Sequence, residues 1–360
     1  MTGVEWPALG SSTERWQPVE GLFDVSRRAL RSTPTTYAAA IVPAIASVLL
    51  RSESAASSQI ENLTSSARAL AEAEIGEGTR ANAGVILANV RTMQAALDLA
   101  GRLDEEAVLA MHRALMSQQT VHSAGAWREQ QVWVGGSPLH PGDAHYVPPV
   151  AADVPALMTD LVRFMDRDDL PPLAHAALAH AQFETIHPFT DGNGRTGRAL
   201  LHSVLLHTGA IHRVTVPISA GLLALRDDYF AALTAYRAGE AEPILRCVAE
   251  AARSGTHVGE RLVLSLRTVR AAWAPQLTAR AGSASWALLD LLLRQPVVTA
   301  RVVSRELGVT APTAQSALQR LVADGILLES TGHRRNRVYR APAVLRALDA
   351  YAAGLGRRTG

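Results

Sequence analysis

The chain has 360 residues, 48% of them hydrophobic and 19% charged, with a formal net charge of +2 at pH 7. That is enough apolar material for a substantial core spread over two or three units, and too little net charge for a nucleic-acid polycation. A single cysteine, Cys247, excludes an internal disulfide and a cysteine-based zinc centre. All 35 basic residues are arginine. Without a lysine amine, a P-loop NTPase, a protein kinase or a transferase that works through a lysine-nucleotide adduct cannot operate in its usual form. No apolar run is long enough to span a bilayer and no signal-peptide pattern opens the chain, so a cytoplasmic location away from membranes is predicted.

In chain order, residues 1 to about 30 carry Trp6, Pro7, Trp16 and Pro18 with weak periodicity and read as an extended arm. Residues 36–51 predict an apolar-rich helix that Pro43 kinks or divides, and residues 57–73 a second helix with Ile60, Leu63, Ala67 and Leu70 on one face. Helices at 83–100 and 104–115 follow. Residues 127–149 change character. They alternate through Val132, Trp133 and Val134, break at Gly135 and Gly136, and resume at His145, Tyr146 and Val147, which predicts a β-hairpin flap. Helices at 154–166 and 173–186 lead to a loop that Pro188 opens. The next helix starts near Gly194 with Asn193 as its N-cap, and further helices run to about 252 and over 258–272. From residue 285 come helices at 286–293, 300–307 and 312–323, a turn at Gly308, and a basic hairpin at 326–339. This order is helix-turn-helix plus wing. The expected class is mostly α, divided as an N-terminal helical region (1–100), a core (101–252), a helical linker (253–284) and a winged helix (285–360).

The stretch His187-Pro188-Phe189-Thr190-Asp191-Gly192-Asn193-Gly194-Arg195-Thr196-Gly197-Arg198 holds the chemistry. It supplies a titratable base, a carboxylate, a glycine run and two guanidinium groups where a tight loop feeds a helix N-terminus, a place receptive to anions. Gly192, Gly194 and Gly197 also fit G-x-G-x-x-G. That dinucleotide fingerprint needs a preceding strand, whereas a helix and a proline come before it here. His175, His180, His202 and His207 fall in pairs five apart, off one helical face, so they read as core histidines rather than metal ligands.

The stretch resembles the Fic family motif, H-x-F-x-D/E-G-N-G-R-x-x-R, at every specified position, and the resemblance extends over residues 30 to about 250. It implies a Fic-type helical bundle that transfers AMP from ATP to a Ser, Thr or Tyr hydroxyl of a target protein, itself included, with pyrophosphate leaving. His187 is then the general base, because an imidazole is the side chain best poised near neutral pH to take a hydroxyl proton. Asp191 would hold Mg²⁺ together with phosphate oxygens and water. Gly192, Asn193 and Gly194 would bring amides, the Asn193 side chain among them, to the attacked phosphate. Arg195 and Arg198, three apart, would fork onto the departing phosphates. Val132, Trp133 and Val134 would form the target-docking flap, and Phe189 would anchor the loop.

Upstream, Ser57-Ser58-Gln59-Ile60-Glu61-Asn62 matches the family's inhibitory pattern [S/T]-x-x-x-E-[G/N], which implies that Glu61 pairs with Arg198 and displaces the γ-phosphate. The C-terminal module carries eight arginines against four acids between residues 285 and 342. Thr313, Gln315, Ser316, Gln319 and Arg320 on its recognition helix, and Arg334, Arg335, Arg337 and Arg340 in its wing, are placed to meet DNA. A protein-docking or homodimer role is the alternative. Two other functions stay open at this point. One is a winged-helix regulator whose nucleotide site senses without reacting; the other is transfer of UMP, phosphocholine or phosphate in place of AMP.

Overall fold

Helical periodicity governs most of this chain, and the structure follows it with three adjustments. The computed structural model describes residues 35–77, 81–117, 123–136, 140–211, 215–330 and 337–355. The expected N-terminal arm and the wing residues Arg334 and Arg335 lie outside the described residues.

The first adjustment is at the start. Helix α1 (Thr35–Ile60) runs unbroken through Pro43, so the two helices expected over 36–51 and 57–73 are divided elsewhere. The break comes at Asn62, with φ +63°, where the Leu63 N–H bonds the Ser58 carbonyl (3.0 Å) and the Asn62 N–H bonds that of Gln59 (2.9 Å). This paired closure satisfies carbonyls the helix would otherwise leave open, and it needs a left-handed residue, a conformation asparagine tolerates better than most. Helix α2 (Ala67–Glu74) restarts the chain with Ser66 as N-cap. Helices α3 (Ala81–Asp98) and α4 (Glu105–Met116) follow, the latter capped by Asp104.

The second adjustment is the flap. Among the described residues between 123 and 150 there is a single antiparallel bridge, Val134 to Tyr146, rather than a two-stranded hairpin. Gly135 and Gly136, both with positive φ, bend the chain just after the bridge, and a short 3-10 turn at Pro141–Asp143 lies on the return path. Helices α5 (Val154–Met165), α6 (Pro172–Ile186), α7 (Asn193–His207), α8 (Ile218–Ala224) and α9 (Arg226–Arg237) complete the bundle around α6, which is buried along nearly its whole length.

The third adjustment is α10 (Glu242–Trp273), one 32-residue helix that crosses the limit expected at 252. Two hydrophobic cores exist, and α10 serves both: Ile244, Val248 and Ala251 in the first, Leu262, Leu266 and Trp273 in the second. Helix α1 also serves both, through Ile60 in the first and Val48 and Leu49 in the second.

The second core is that of the winged helix: α11 (Ala284–Arg294), β1 (Val297–Thr299), α12 (Ala300–Leu307), α13 (Ala311–Ala323), β2 (Leu328–Glu329), β3 (Val338–Arg340) and α14 (Pro342–Gly354). The sheet has order β1-β3-β2, antiparallel throughout. This module sits on the N-terminal helices. Arg51 of α1 donates to the last carbonyl of α11, Arg294 (2.8 Å), and pairs with Glu74 (2.8 Å). Gln295 donates to the Ala71 carbonyl (3.2 Å), and Asp349 of α14 accepts from the Ala67 amide (3.1 Å).

Candidate active site

Helix α6 ends because Pro188 disfavours a helical residue before it, and His187 takes up a left-handed conformation (φ +50°, ψ +60°) as its C-cap. A non-glycine residue there is strained and must be held by its surroundings. Arg128 holds it. Its guanidinium, only 3% exposed, donates to the carbonyls of His187 (2.9 Å), Gln130 (3.1 Å) and Pro149 (2.5 Å), and its own N–H bonds the Pro188 carbonyl (2.9 Å). One side chain thereby ties the motif loop to the base of the flap.

The rest of the loop is fixed from inside. Phe189 is fully buried and stacks on His112, with ring centroids 3.6 Å apart. His112 accepts from the Gly125 N–H at Nδ1 (3.0 Å), so its Nε2 carries the proton and donates to the Asp191 carbonyl (3.0 Å). Asn193 is not the N-cap expected of it. Gly192 is, with φ +78°, and a Cβ there would lie 2.7 Å from Leu115. The Asn193 side chain instead accepts from the Phe189 N–H (2.8 Å) and donates to the Phe189 carbonyl (2.8 Å). Its amide is therefore committed to the loop and is not offered to a phosphate. What α7 presents to an anion is the set of first-turn backbone N–H groups, which have no partner within the helix.

Arg195 and Arg198 project from that first turn and converge on Glu61. Arg198 donates to Glu61 Oε1 (2.7 Å), to Ser57 Oγ (2.8 Å) and to the Ser57 carbonyl (2.8 Å). Arg195 donates to Glu61 Oε2 (3.0 Å) and to Asp191 (3.3 Å). The expectation paired Glu61 with Arg198 alone, whereas both arginines hold it. A Cβ on Gly194 would collide with Glu61 Oε1, so the carboxylate lies directly over the helix start. Burial is the largest single influence on Arg198 and opposes its charge, but Glu61, Tyr229 and Glu184 together raise the guanidinium above its ordinary value.

Burial pushes His187 down to about 4, helped by Arg237 and Arg128 and resisted by the Glu184 backbone carbonyl, so its ring is neutral at pH 7. Its Nδ1 lies 4.0 Å from Glu184 Oε2. Burial pushes Glu184 up to about 7, with Glu61 adding to the rise and Arg198 and Arg237 opposing it. Asp191 keeps 39% of its side-chain surface exposed, and the described residues contain no group of three or more potential metal ligands. A cation here has one protein carboxylate to use. Of the flap residues, Val132, Trp133 and Val134 are all half-buried. Three of the four histidines expected in the core are buried and bonded there, His175 to the Phe164 carbonyl, His180 to the Tyr229 hydroxyl and His202 to Glu53, whereas His207, at the end of α7, is exposed and bonds the Ala100 carbonyl.

Residues 102–205 match the Fic/DOC family. This segment of the chain is similar to Fic domains. Over 146 residues, 40% of this chain, it is 32% identical to "Protein adenylyltransferase Fic" of Drosophila melanogaster, and over 144 residues 34% identical to "Protein adenylyltransferase fic-1" of Caenorhabditis briggsae. The aligned part spans about a quarter of each relative's length (27% and 26%). In fold, the chain aligns with a Fic family protein from Desulfovibrio desulfuricans at a TM-score of 0.54 and 21% identity, over 91% of this chain and 98% of that one. A Fic domain containing signaling protein from Bacteroides thetaiotaomicron aligns at 0.51 and 18% identity, over 68% and 96%. Residues 281–336 match the MarR family, in the winged helix.

On that winged helix, three of the five expected recognition residues have other partners: the Thr313 hydroxyl shares a hydrogen bond with that of Thr310 (2.9 Å). Gln315 donates to the Tyr339 hydroxyl (3.0 Å), and Arg320 donates to Thr278 (3.0 Å), 4.0 Å from Asp324. Thr313, Ser316 and Gln319 are exposed. In the wing, Arg337 pairs with Glu329 (3.3 Å) and Arg340 is half-buried.

Sequence reasoning passed over Arg128, His112 and Glu184. Arg128 and His112 reach partners 59 and 79 residues away, so no local pattern marks them. Glu184 stands three residues before His187 on one helix, and that i, i+3 spacing was a legible signal.

Proposed function

We propose that this chain is an autoinhibited protein adenylyltransferase that moves AMP from ATP to a Ser, Thr or Tyr hydroxyl of a target protein. The observation that carries the reading is the convergence of Arg195 and Arg198 on one carboxylate over the start of α7. Two guanidiniums and a helix N-terminus suit a polyphosphate better than a single carboxylate. With Glu61 withdrawn, the departing phosphates take its place. The target hydroxyl then attacks the α-phosphorus and gives its proton to His187; the new O–P bond forms as the bond to pyrophosphate breaks. Asp191 fits the single-carboxylate role for Mg²⁺, which when bound would offset phosphate charge. The similarity to relatives named as adenylyltransferases supports AMP as the transferred group.

Label transfer from α-labelled ATP into protein tests this. Glu61→Gly should raise incorporation by roughly tenfold or more, the range of an ordinary coupling energy. His187→Ala should abolish it in either background. Equal labelling by wild type and Glu61→Gly would remove the autoinhibition.

A second reading concerns the winged helix, which we take to contact DNA through Thr313, Ser316 and Gln319. The MarR family match supports it. Three candidate side chains, Thr313 among them, are already engaged within the module, so the expected affinity is modest and strongly salt-dependent. A gel shift across a salt series checks it; no retardation at low salt leaves a protein-docking or dimerisation role.

A further inference from the structure

The buried carboxyl of Glu184 has no partner that explains its place. Its residue is 6% exposed; Oε1 is buried without a hydrogen bond, and Oε2 points toward the equally unsatisfied Nδ1 of His187 at 4.0 Å. It lies over the first turn of α7, where a Cβ on Gly197 would come within 2.8 Å of Oε1. A carboxyl kept in such a position costs stability, so the arrangement calls for a reason.

We propose that Glu184 is a positioning residue for His187: in its carboxylate form it accepts the Nδ1–H, which turns the Nε2 lone pair toward the target hydroxyl and stabilises the imidazolium formed during transfer. The proposal rests on the adenylyltransferase reading. Closing 4.0 Å to hydrogen-bonding distance takes a shift of about 1 Å, and such contacts commonly tighten only in the reacting complex. During the step the hydroxyl proton passes to Nε2, the O–P bond forms and the bond to pyrophosphate breaks. Glu184 keeps its negative charge and takes no proton, as in other carboxylate-oriented imidazoles. The surrounding titratable groups are Arg198 and Glu61, Arg237 and the neutral Tyr229 from α9, and Arg128 and Asp191, which act on His187. His180 lies across Gly197. Burial and Glu61 together hold the Glu184 carboxyl near 7, so it is ionised more fully once Glu61 leaves.

The test uses the full chain in the Glu61→Gly background. Glu184→Gln preserves size and removes the charge. It should lower kcat by about tenfold or more with KM for ATP unchanged, and move the acid limb of the pH profile to lower pH. NMR of the His187 ring should show its protonation shifting to lower pH in the same variant. In the chain with both Glu61 and Glu184 intact, the ring resonances should register a second titration close to 7. Unchanged kcat in Glu184→Gln, or His187 resonances that ignore both the substitution and the titration near 7, would overturn the proposal. The NMR measurement needs no turnover. A failure of the transfer reading therefore shows as absent labelling, and a failure of this one as a silent ring.

Discussion

Arg128 illustrates how one buried cation organises a site without touching a substrate. Its guanidinium substitutes for water at backbone carbonyls that the left-handed His187 and the entry to the flap leave unpaired. Arg128→Ala would strand those acceptors in a buried place, at a cost of about 3 kcal/mol by the usual penalty for unsatisfied groups. The expected outcome is a lowered unfolding midpoint together with loss of label transfer in the Glu61→Gly background. Arg128→Lys should rescue little, because a single ammonium cannot reach the same fork of carbonyls. Glu184 has the opposite energetics. Burial raises its folded pKa from 4.5 to about 7, so its favourable contribution is complete below pH 4.5 and is lost as pH rises through 7. Thermal melts should therefore show the Glu184→Gln variant gaining on wild type from pH 5 to pH 8, by an amount on the order of 2 kcal/mol. A constant difference across that range would argue against a buried acid.

At the scale of elements, the end of α1 decides where Glu61 stands. The residue is the last before the left-handed Asn62, and the paired closure of Leu63 and Asn62 onto Ser58 and Gln59 sets the direction in which its side chain leaves. Other ties hold the helix in register. Glu53, fully buried, accepts from the Ser219 N–H (3.0 and 2.9 Å) and lies 2.8 Å from His202 Nε2, and Arg226 donates to the Ile60 carbonyl (3.1 Å). A β-branched residue at 62 would pay roughly 1–2 kcal/mol for the left-handed backbone, whereas glycine would pay none. Asn62→Val should therefore raise basal AMP transfer toward the level of Glu61→Gly, and Asn62→Gly should leave it low; labelling of the two side by side checks this. The flap reduces to one bridge for a related reason. Two consecutive glycines with positive φ turn the chain before a ladder can extend, although Val132 to Val134 alternate as a strand would.

Across the whole molecule, the two cores are not independent, because α1 and α10 each pack into both. Arg51 lies on the same helix that carries the Ser57 and Glu61 contacts, and it reaches the last carbonyl of α11. The winged helix thus braces α1 from behind. Arg51→Ala should increase amide hydrogen exchange in α2 and at the end of α11, and raise basal labelling by a few-fold, within the range of ordinary coupling energies. Increased exchange with unchanged labelling would mean that the brace stabilises the module without feeding the site.

Helical periodicity and the twelve-residue motif sufficed to place the bundle, the winged helix, His187 and the arginine pair, because those features depend on neighbours within a turn or two. The short inhibitory pattern likewise named Ser57 and Glu61. Other features were settled only when distant segments met: the sharing of Glu61 between two arginines, the diversion of Asn193 to the Phe189 backbone, the grip of Arg128 on the loop and the capture of Gln315 and Arg320 in the winged helix. Each of these is a polar group choosing among partners. Hydrogen bonds and ion pairs are won by whichever partner burial brings within reach, and spacing along the chain carries no record of that competition.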